Sequence, residues 1–427
     1  MAVVAVVVFV AAYVLIVTER IHRVAAALGG AGIMLAAGVV GAEDAFFSED
    51  TGVDWNVIFL LLGMMIIVGI LRETGVFEYL AISAAKRAKG KPFRVMVTFV
   101  LLTAFASALL DNVTTVLLIA PVTLLVCIRL GVPPVPFLIA EVLASNIGGA
   151  ATLIGDPPNI IIASRGDLSF NDFLFNMGPI ILLLLIVYLG LCRVLFRKAF
   201  LYDETKVAAV MRLNEKEAIE NRPLLIKASA VLVLVTIGFV LHSALDTEVS
   251  VVALLGAGLL VAIAGLSPKE YLREVEWTTL VFFAGLFIMV GALIKVGVIG
   301  SLSKLVTEVT GGNLLLASIL ILVVSGVLSG IVDNIPYVAT MAPLVADLAD
   351  ESGNPGNVLW WALALGADLG GNATMVGAAA NVVVVGIAEK NGYKISFLEF
   401  FKYGGLVALV TIALCIPYLW LRYFVFA

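Results

Sequence analysis

Apolar residues fill this chain in uninterrupted runs of roughly 17 to 25, the length that crosses a hydrocarbon core of ~30 Å as a helix. Stretches such as Ile180 to Leu191 and Ala228 to Leu241 carry no charge at all. Lipid offers no partners to backbone N–H and C=O groups, so non-alternating apolar runs predict helices. An outer-membrane barrel would alternate polar and apolar positions instead. The pattern predicts an all-α polytopic membrane protein of about ten transmembrane helices plus two re-entrant hairpins. The predicted spans are 2–17, 24–40, 55–71, 136–163, 172–195, 228–244, 250–266, 277–294, 358–387 and 397–420, with hairpins at 95–128 and 313–349.

The same pattern occurs twice. At an offset of 222 residues Trp55 falls on Trp277, Gly63 on Gly285, Gly69 on Gly291 and Gly75 on Gly297. Asp111-Asn112 falls on Asp333-Asn334, Pro121 on Pro343, Gly148-Gly149 on Gly370-Gly371, Thr152 on Thr374, Gly155 on Gly377 and Asn159 on Asn381. The register holds without a gap from Trp55 to Asn159. Such periodicity is the first sign of a duplicated architecture. The expected organisation is a first repeat at 1–199 (hairpin 95–128, broken helix 136–163), a linker at 200–227, and a second repeat at 228–427 (hairpin 313–349, broken helix 358–387). Each repeat has an odd number of crossings, so the two insert with opposite orientation, an arrangement found in secondary transporters.

Charge gives this map two sides. Of the residues 62% are hydrophobic and 13% charged, mean hydropathy is +1.13 and net charge is -5; a soluble domain carries about 25% charged residues. Lys86, Arg87, Lys89, Lys91, Arg94, the linker from Arg193 to Lys227, and Arg20, Arg23, Lys269, Arg273, Lys390 and Lys394 share one side. The other side keeps Arg165, Lys295, Lys304 and Arg422 and acidic loops such as Glu43 to Asp54. The positive-inside rule puts the linker in the cytoplasm of a cell-membrane protein, with both termini outside. The apolar N-terminus has no basic n-region and reads as a retained first span. There is no basic patch for nucleic acid. Cys127, Cys192 and Cys415 lie too far apart for a disulfide framework or a metal motif. His22 and His242 fall at helix ends, as interfacial residues.

The candidate chemistry lies where polar residues interrupt apolar runs. Asp111-Asn112-Val113-Thr114-Thr115 sits at a predicted hairpin tip, and Asp333-Asn334-Ile335-Pro336-Tyr337 repeats it, with Pro336 expected to end a half-helix. A carboxylate at that depth costs several kcal/mol unless paired or hydrated. The second half-site is Ser145-Asn146-Ile147-Gly148-Gly149-Ala150-Ala151-Thr152-Leu153-Ile154-Gly155-Asp156-Pro157-Pro158-Asn159. Its glycines each disfavour helix by about 1 kcal/mol, so the span should unwind in mid-membrane. Asp156-Pro157 reads as an N-cap followed by proline at the first helical position. The counterpart runs from Asp368 through Gly370, Gly371, Asn372 and Thr374 to Asn381. Backbone N–H groups and carbonyls freed at such breaks attract oxyanions or cations. The halves are not equivalent: Asn146 answers to Asp368, and Asp156 to Ala378. Glu141, whose partner position is Leu363, is either a proton carrier or a residue facing a polar interface.

The Asp-Asn tips and the Ser145 to Asn159 run resemble the ion transporter superfamily over nearly the whole chain. They are most similar to its branch of arsenite-antimonite permeases, NhaD-type Na⁺/H⁺ antiporters and the melanosomal P protein, with citrate and dicarboxylate carriers more distant. The resemblance implies no enzyme activity, a mobile transport domain moving in an elevator-like way against a scaffold, and a homodimer. It also implies a small inorganic solute, no cofactor beyond a coupling proton or Na⁺, and a cytoplasmic ATPase as a candidate partner. Dicarboxylate carriers show Ser-Asn-Thr where Asp111-Asn112 and Asp333-Asn334 stand, which argues against a divalent anion. Proton-coupled arsenite efflux, with Asp111, Asp333 or Glu141 carrying protons, stands slightly ahead of Na⁺/H⁺ exchange. An intramembrane aspartyl protease would leave the repeat unexplained and would need a different glycine context at Asp156.

Overall fold

The structure is a computed structural model that describes residues 1–18, 20–201, 204–352 and 354–426. It is helical, with no strand among the described residues. The first half comprises α1 (Ala2–Val17), α2 (Arg23–Ala36), α3 (Trp55–Arg72), α4 (Pro92–Leu109), α5 (Asn112–Leu130), α6 (Pro134–Gly149), α7 (Pro157–Gly166) and α8 (Phe170–Leu195). The second comprises α9 (Arg222–Leu241), α10 (Val249–Ala264), α11 (Trp277–Lys295), α12 (Leu314–Ser329), α13 (Asn334–Ser352), α14 (Val358–Gly370), α15 (Ala379–Lys390) and α16 (Phe397–Trp420). Among the described residues 7 helices are long and apolar enough to cross a membrane, or 8 if Val298–Thr310 and α12, bent by 118°, form one span.

Local chemistry sets where these helices start. Proline opens α4, α6 and α7, where a missing N–H costs nothing. Side-chain oxygens cap others: Asp111 accepts from Thr114 N at 2.7 Å, Asn313 from Leu316 N at 3.0 Å, and Ser169 with Asp172 forms a capping box. Pro336 lies inside the first turn of α13, so it begins a helix and does not end one. A proline in a first turn displaces no intrahelical hydrogen bond.

The duplication is built into the backbone. Helices α3, α4, α5 and α7 begin 222 residues before α11, α12, α13 and α15. Packing follows the same exchange: α3 lies on α10 as α11 lies on α2, and α5 lies on α15 as α13 lies on α7. Each repeat therefore completes the other. Close backbone approach at these crossings needs residues without a side chain. A β-carbon on Gly63 would stand 2.8 Å from the Ala253 backbone, and one on Gly285 2.9 Å from that of Ala27. Gly148 and Gly370 press on the carbonyls of Ala104 and Gly326 in the same way, at 2.2 and 2.4 Å.

Polar contacts mark two ends of the bundle. At one end Arg72 pairs with Glu274 at 3.2 Å, Glu220 N donates to Thr74 O, and Arg23 donates to Thr279 Oγ1 at 3.3 Å. The linker is docked there on the helix Val76–Arg87 that precedes the first hairpin: Lys86 Nζ meets Glu215 at 2.5 Å and Leu213 O at 3.1 Å. That ammonium holds the Glu215 carboxyl below its ordinary range. At the other end Lys295 pairs with Asp44, Arg165 donates to Asp50 O at 2.9 Å, and Ser164 to Asp54 at 2.5 Å.

Gly148→Ala is expected to lower stability by about 1–3 kcal/mol, because the Ala104 backbone cannot withdraw. Gly190→Ala and Gly386→Ala, which meet nothing within 4 Å, should be neutral in the same detergent melting experiment.

Candidate functional site

Two broken helices meet two hairpin tips at the centre of the chain. The first break spans 150–156, between α6 and α7, and the second spans 371–378, between α14 and α15. Each loses several helical hydrogen bonds inside the bundle, and each recovers them from the same side chains. Asn159 Nδ2 donates to Gly149 O at 3.4 Å and Thr152 O at 3.1 Å; Asn381 Nδ2 donates to Gly371 O and Thr374 O, both at 2.8 Å. Thr152 Oγ1 ties its break to Ala108 O on the hairpin at 2.5 Å, as Thr374 Oγ1 ties to Gly330 O at 2.7 Å. Ser107 donates to Ser145 O at 2.7 Å, and Ser329 to Ala367 O at 2.6 Å. Gly149 and Gly155 face each other across the first turn, as Gly371 and Gly377 do across the second.

A network of carboxamides and one carboxylate then joins the halves. Asn112, at the first tip, donates to Asp156 Oδ2 at 2.7 Å and to Asn146 Oδ1 at 3.2 Å. Asn334, at the second tip, approaches both oxygens of the same Asp156 at 3.4 Å. Asn146 Nδ2 crosses to Asn372 Oδ1 and Asn381 Oδ1, both at 3.0 Å. All these residues are buried. Asp156 occupies the N-cap position of α7 but does not cap it. Its extended backbone turns the carboxylate toward the two tips, where amide donors offset its burial better than one backbone N–H would.

Other predicted residues sit around this network. Asp111 and Asp333 are half-buried, and each accepts a backbone N–H of its own tip, from Thr114 and from Ile335 at 3.1 Å. Thr114 contributes that backbone N–H, and Gly148 and Gly370 pack against the hairpins. Thr115 Oγ1, Ser145 Oγ, Asn372 Nδ2, Asn159 Oδ1 and both Asp368 oxygens are buried with no hydrogen-bond partner among the described residues. Asp368 lies beside Asn159 and within electrostatic range of Asp156. Glu141 stands outside the network: Thr123 Oγ1 donates to it, and its other oxygen has no partner among the described residues.

A cavity of about 660 Å³ runs from the tips toward the linker end. Asp111 and Asp333 line it from the two repeats, and His22, Arg23, Glu276 and Thr279 line it from the flanking helices. Arg23 is its focus. The guanidinium stands 3.6 Å from Asp333, donates to Thr279 and lies 5.4 Å from the centre of the Phe282 ring. Thr279 in turn donates to Glu276 at 3.0 Å. The sequence places Arg23 only in the charge map and gives no sign of Glu276 or Thr279. Helix α2 precedes the register of the repeat, and the positions equivalent to Glu276 and Thr279, Asp54 and Val57, do not carry the same residues. Ser107 and Ser329 were within its reach, since they fall on each other at the same offset.

The family model described as citrate transporter (CitMHS) matches residues 13–366. An uncharacterized transporter of Mycobacterium tuberculosis is 58% identical over 427 residues, covering 100% of this chain and 99% of its own. The 46 kDa membrane protein of Mycobacterium leprae is 56% identical over 429 residues. The P protein of Homo sapiens is 35% identical over 487 residues, covering 94% of this chain and 58% of that protein. The crystal structure of the YdaH transporter of Alcanivorax borkumensis has the same fold, with a TM-score of 0.59 and 16% identity over 85% of each chain.

Asn146→Ala should leave the Oδ1 atoms of Asn372 and Asn381 without a donor. Each orphaned buried acceptor costs about 1–3 kcal/mol, so the melting temperature in detergent should fall clearly, by more than for Gly190→Ala.

Proposed function

The chain belongs to the citrate-transporter family of secondary transporters, and on that premise we propose that it moves a small solute by alternating access coupled to protons. The observation that carries this reading is the cavity lined by Asp111 and Asp333, one acid from each repeat. In this reading the hairpins are re-entrant, ten helices cross the membrane, and the two repeats insert in opposite senses. The hairpins and broken helices move together against the flanking helices α1 to α3 and α9 to α11. The cavity reaches the linker end, which the basic residues assign to the cytoplasm, so this state faces inward.

The chemistry of the lining favours a neutral or cationic solute. Asp111, Asp333 and Glu276 share the cavity, and Arg23 is already paired with Asp333. A free polycarboxylate such as citrate would meet like charge there, although the matched family model is described as a citrate transporter. A neutral metalloid hydroxide such as arsenite can use amide, hydroxyl and backbone groups as hydrogen-bond partners. None of the cysteines lines the cavity, so arsenite would travel as its hydroxide and not as a thiolate adduct. A second reading, Na⁺/H⁺ exchange, is favoured by the two tip carboxylates, for which Na⁺ and protons would compete.

Purified protein in proteoliposomes, given arsenite, Na⁺ or citrate under an imposed pH gradient, tests these readings. Arsenite movement driven by the gradient supports the first, and a Na⁺-induced pH signal without arsenite movement supports the second. Citrate uptake alone would overturn both. Asp111→Asn and Asp333→Asn should each abolish transport while expression in the membrane persists. Unchanged transport in both variants would reduce the tips to a structural role.

A further inference from the structure

The duplication supplies an internal control for the protonation of one buried acid. Asn159 and Asn381 hold equivalent positions, and each spends its N–H₂ on two carbonyls of its own break. That fixes the orientation of both amides, with Oδ1 turned away from the break. On one side Asn381 Oδ1 accepts an N–H from Asn146 at 3.0 Å. On the other side the position equivalent to Asn146 is Asp368, beside Asn159. Neither Asn159 Oδ1 nor either oxygen of Asp368 has a hydrogen-bond partner among the described residues, and all three are buried. The Asn159 side chain is within hydrogen-bonding reach of Asp368, but its N–H₂ is already shared between Gly149 O and Thr152 O. An ionised carboxylate would have to draw that N–H₂ off the break or face Oδ1, acceptor against acceptor, where both are desolvated. A carboxylic acid carries one O–H and can donate.

Besides Asn159, the described residues around Asp368 supply no compensating donor or cation. The charged group that faces it is Asp156, of the same sign, whose oxygens already receive Asn112 and Asn334. Helix α12 presents Ser329, which donates to the Ala367 carbonyl, and Ser325, which receives Tyr337. Helix α6 presents Asn146 and, farther along, Glu141 with its Thr123 donor. Asp333, at the start of α13, has Arg23 beside it. Helix α16 contributes buried Thr411, bonded within its own helix, and Cys415. Among the described residues no cation acts on Asp368.

We propose that Asp368 is a proton-binding residue of the central site, its acid O–H donating to Asn159 Oδ1 as Asn146 N–H donates to Asn381 Oδ1. The ligand is a single proton, taken from water: one O–H bond forms, and the reverse step returns the proton to water. A coupling role for that proton rests on the reading of a proton-coupled transporter; the protonation itself does not.

Two measurements on the full chain in detergent test the proposal without any transported solute. In the first, thermal stability is followed from mildly acid to alkaline pH. Wild type should lose stability as the pH rises, because an ionised Asp368 faces an unpaired acceptor. Asp368→Asn carries a permanent N–H, so the decline attributable to this residue should vanish, while Glu141→Gln should retain it. In the second, infrared difference spectra should show a protonated-carboxyl band at neutral pH that shifts in D₂O. The band should be lost in Asp368→Asn and shifted in Asp368→Glu, so one of the two variants suffices if the other fails to fold. An alkaline decline as large in Asp368→Asn as in wild type, with the Glu141 contribution removed from both by Glu141→Gln, or infrared spectra indifferent to both substitutions, would overturn the proposal. A failure of transport alone would leave both readouts standing and would count against the transport reading only.

Discussion

The donation of one side-chain amide to two backbone carbonyls is the interaction on which this fold rests. A helix interrupted inside a bundle leaves carbonyls that water cannot reach, each of which would cost free energy comparable to a lost hydrogen bond. Asn159 and Asn381 answer that demand at the two breaks, and Thr152 and Thr374 fasten each break to the adjoining hairpin. With the backbone satisfied in this way, the breaks stay open and their side chains are free to face one another. The central network exists because the interruptions are paid for locally.

From this constraint the rest of the site follows in order. Pinned amides expose Oδ1, an exposed Oδ1 needs a donor, and for Asn381 the opposite repeat supplies one: Asn146 N–H₂ reaches Asn381 Oδ1 and Asn372 Oδ1. The tips enter through Asn112 and Asn334, which converge on Asp156 from opposite halves. Neither repeat could satisfy its own polar groups alone. The network therefore ties the two hairpins to each other through Asp156, whereas the polar contact of the tips with the flanking helices is the Arg23–Asp333 pair. A unit with dense internal polar bonding and a smoother boundary is what rigid-body motion requires.

Much of this was legible in the residues. The register from Trp55 to Asn159 predicts the duplicated helices, and their first residues keep the same offset. The glycine-rich runs predict the interruptions, and the helices do stop at Gly149 and Gly370. What stayed hidden was direction. Asp156-Pro157 carries the sequence signature of a cap, yet its carboxylate turns to the tips, a choice made by amide donors far away in the chain. Pro336 suggested an ending where it marks a beginning, because the break falls just before Asn334. Arg23 and Glu276 lie outside any local motif; only the crossing of α2 on α11 brings them to the cavity. Whether Asn159 presents N–H₂ or Oδ1 likewise depends on carbonyls seven and ten residues away.

The linker gives the molecule a consequence of a different kind. In the alternating-access reading, two identical repeats exchanging conformations would make the two end states equivalent by a two-fold rotation, with equal free energies and equal occupancy. Lys86 ties Glu215 and Leu213 of the linker to the helix before the first hairpin, and Lys206 sits against Gly131 at the foot of that hairpin. The linker joins the halves once, and among the described residues the second hairpin has no equivalent strap. On the alternating-access reading, the linker adds to the inequality already set inside by Asn146 against Asp368 and Asp156 against Ala378 a bias that surface residues can tune without touching the central site.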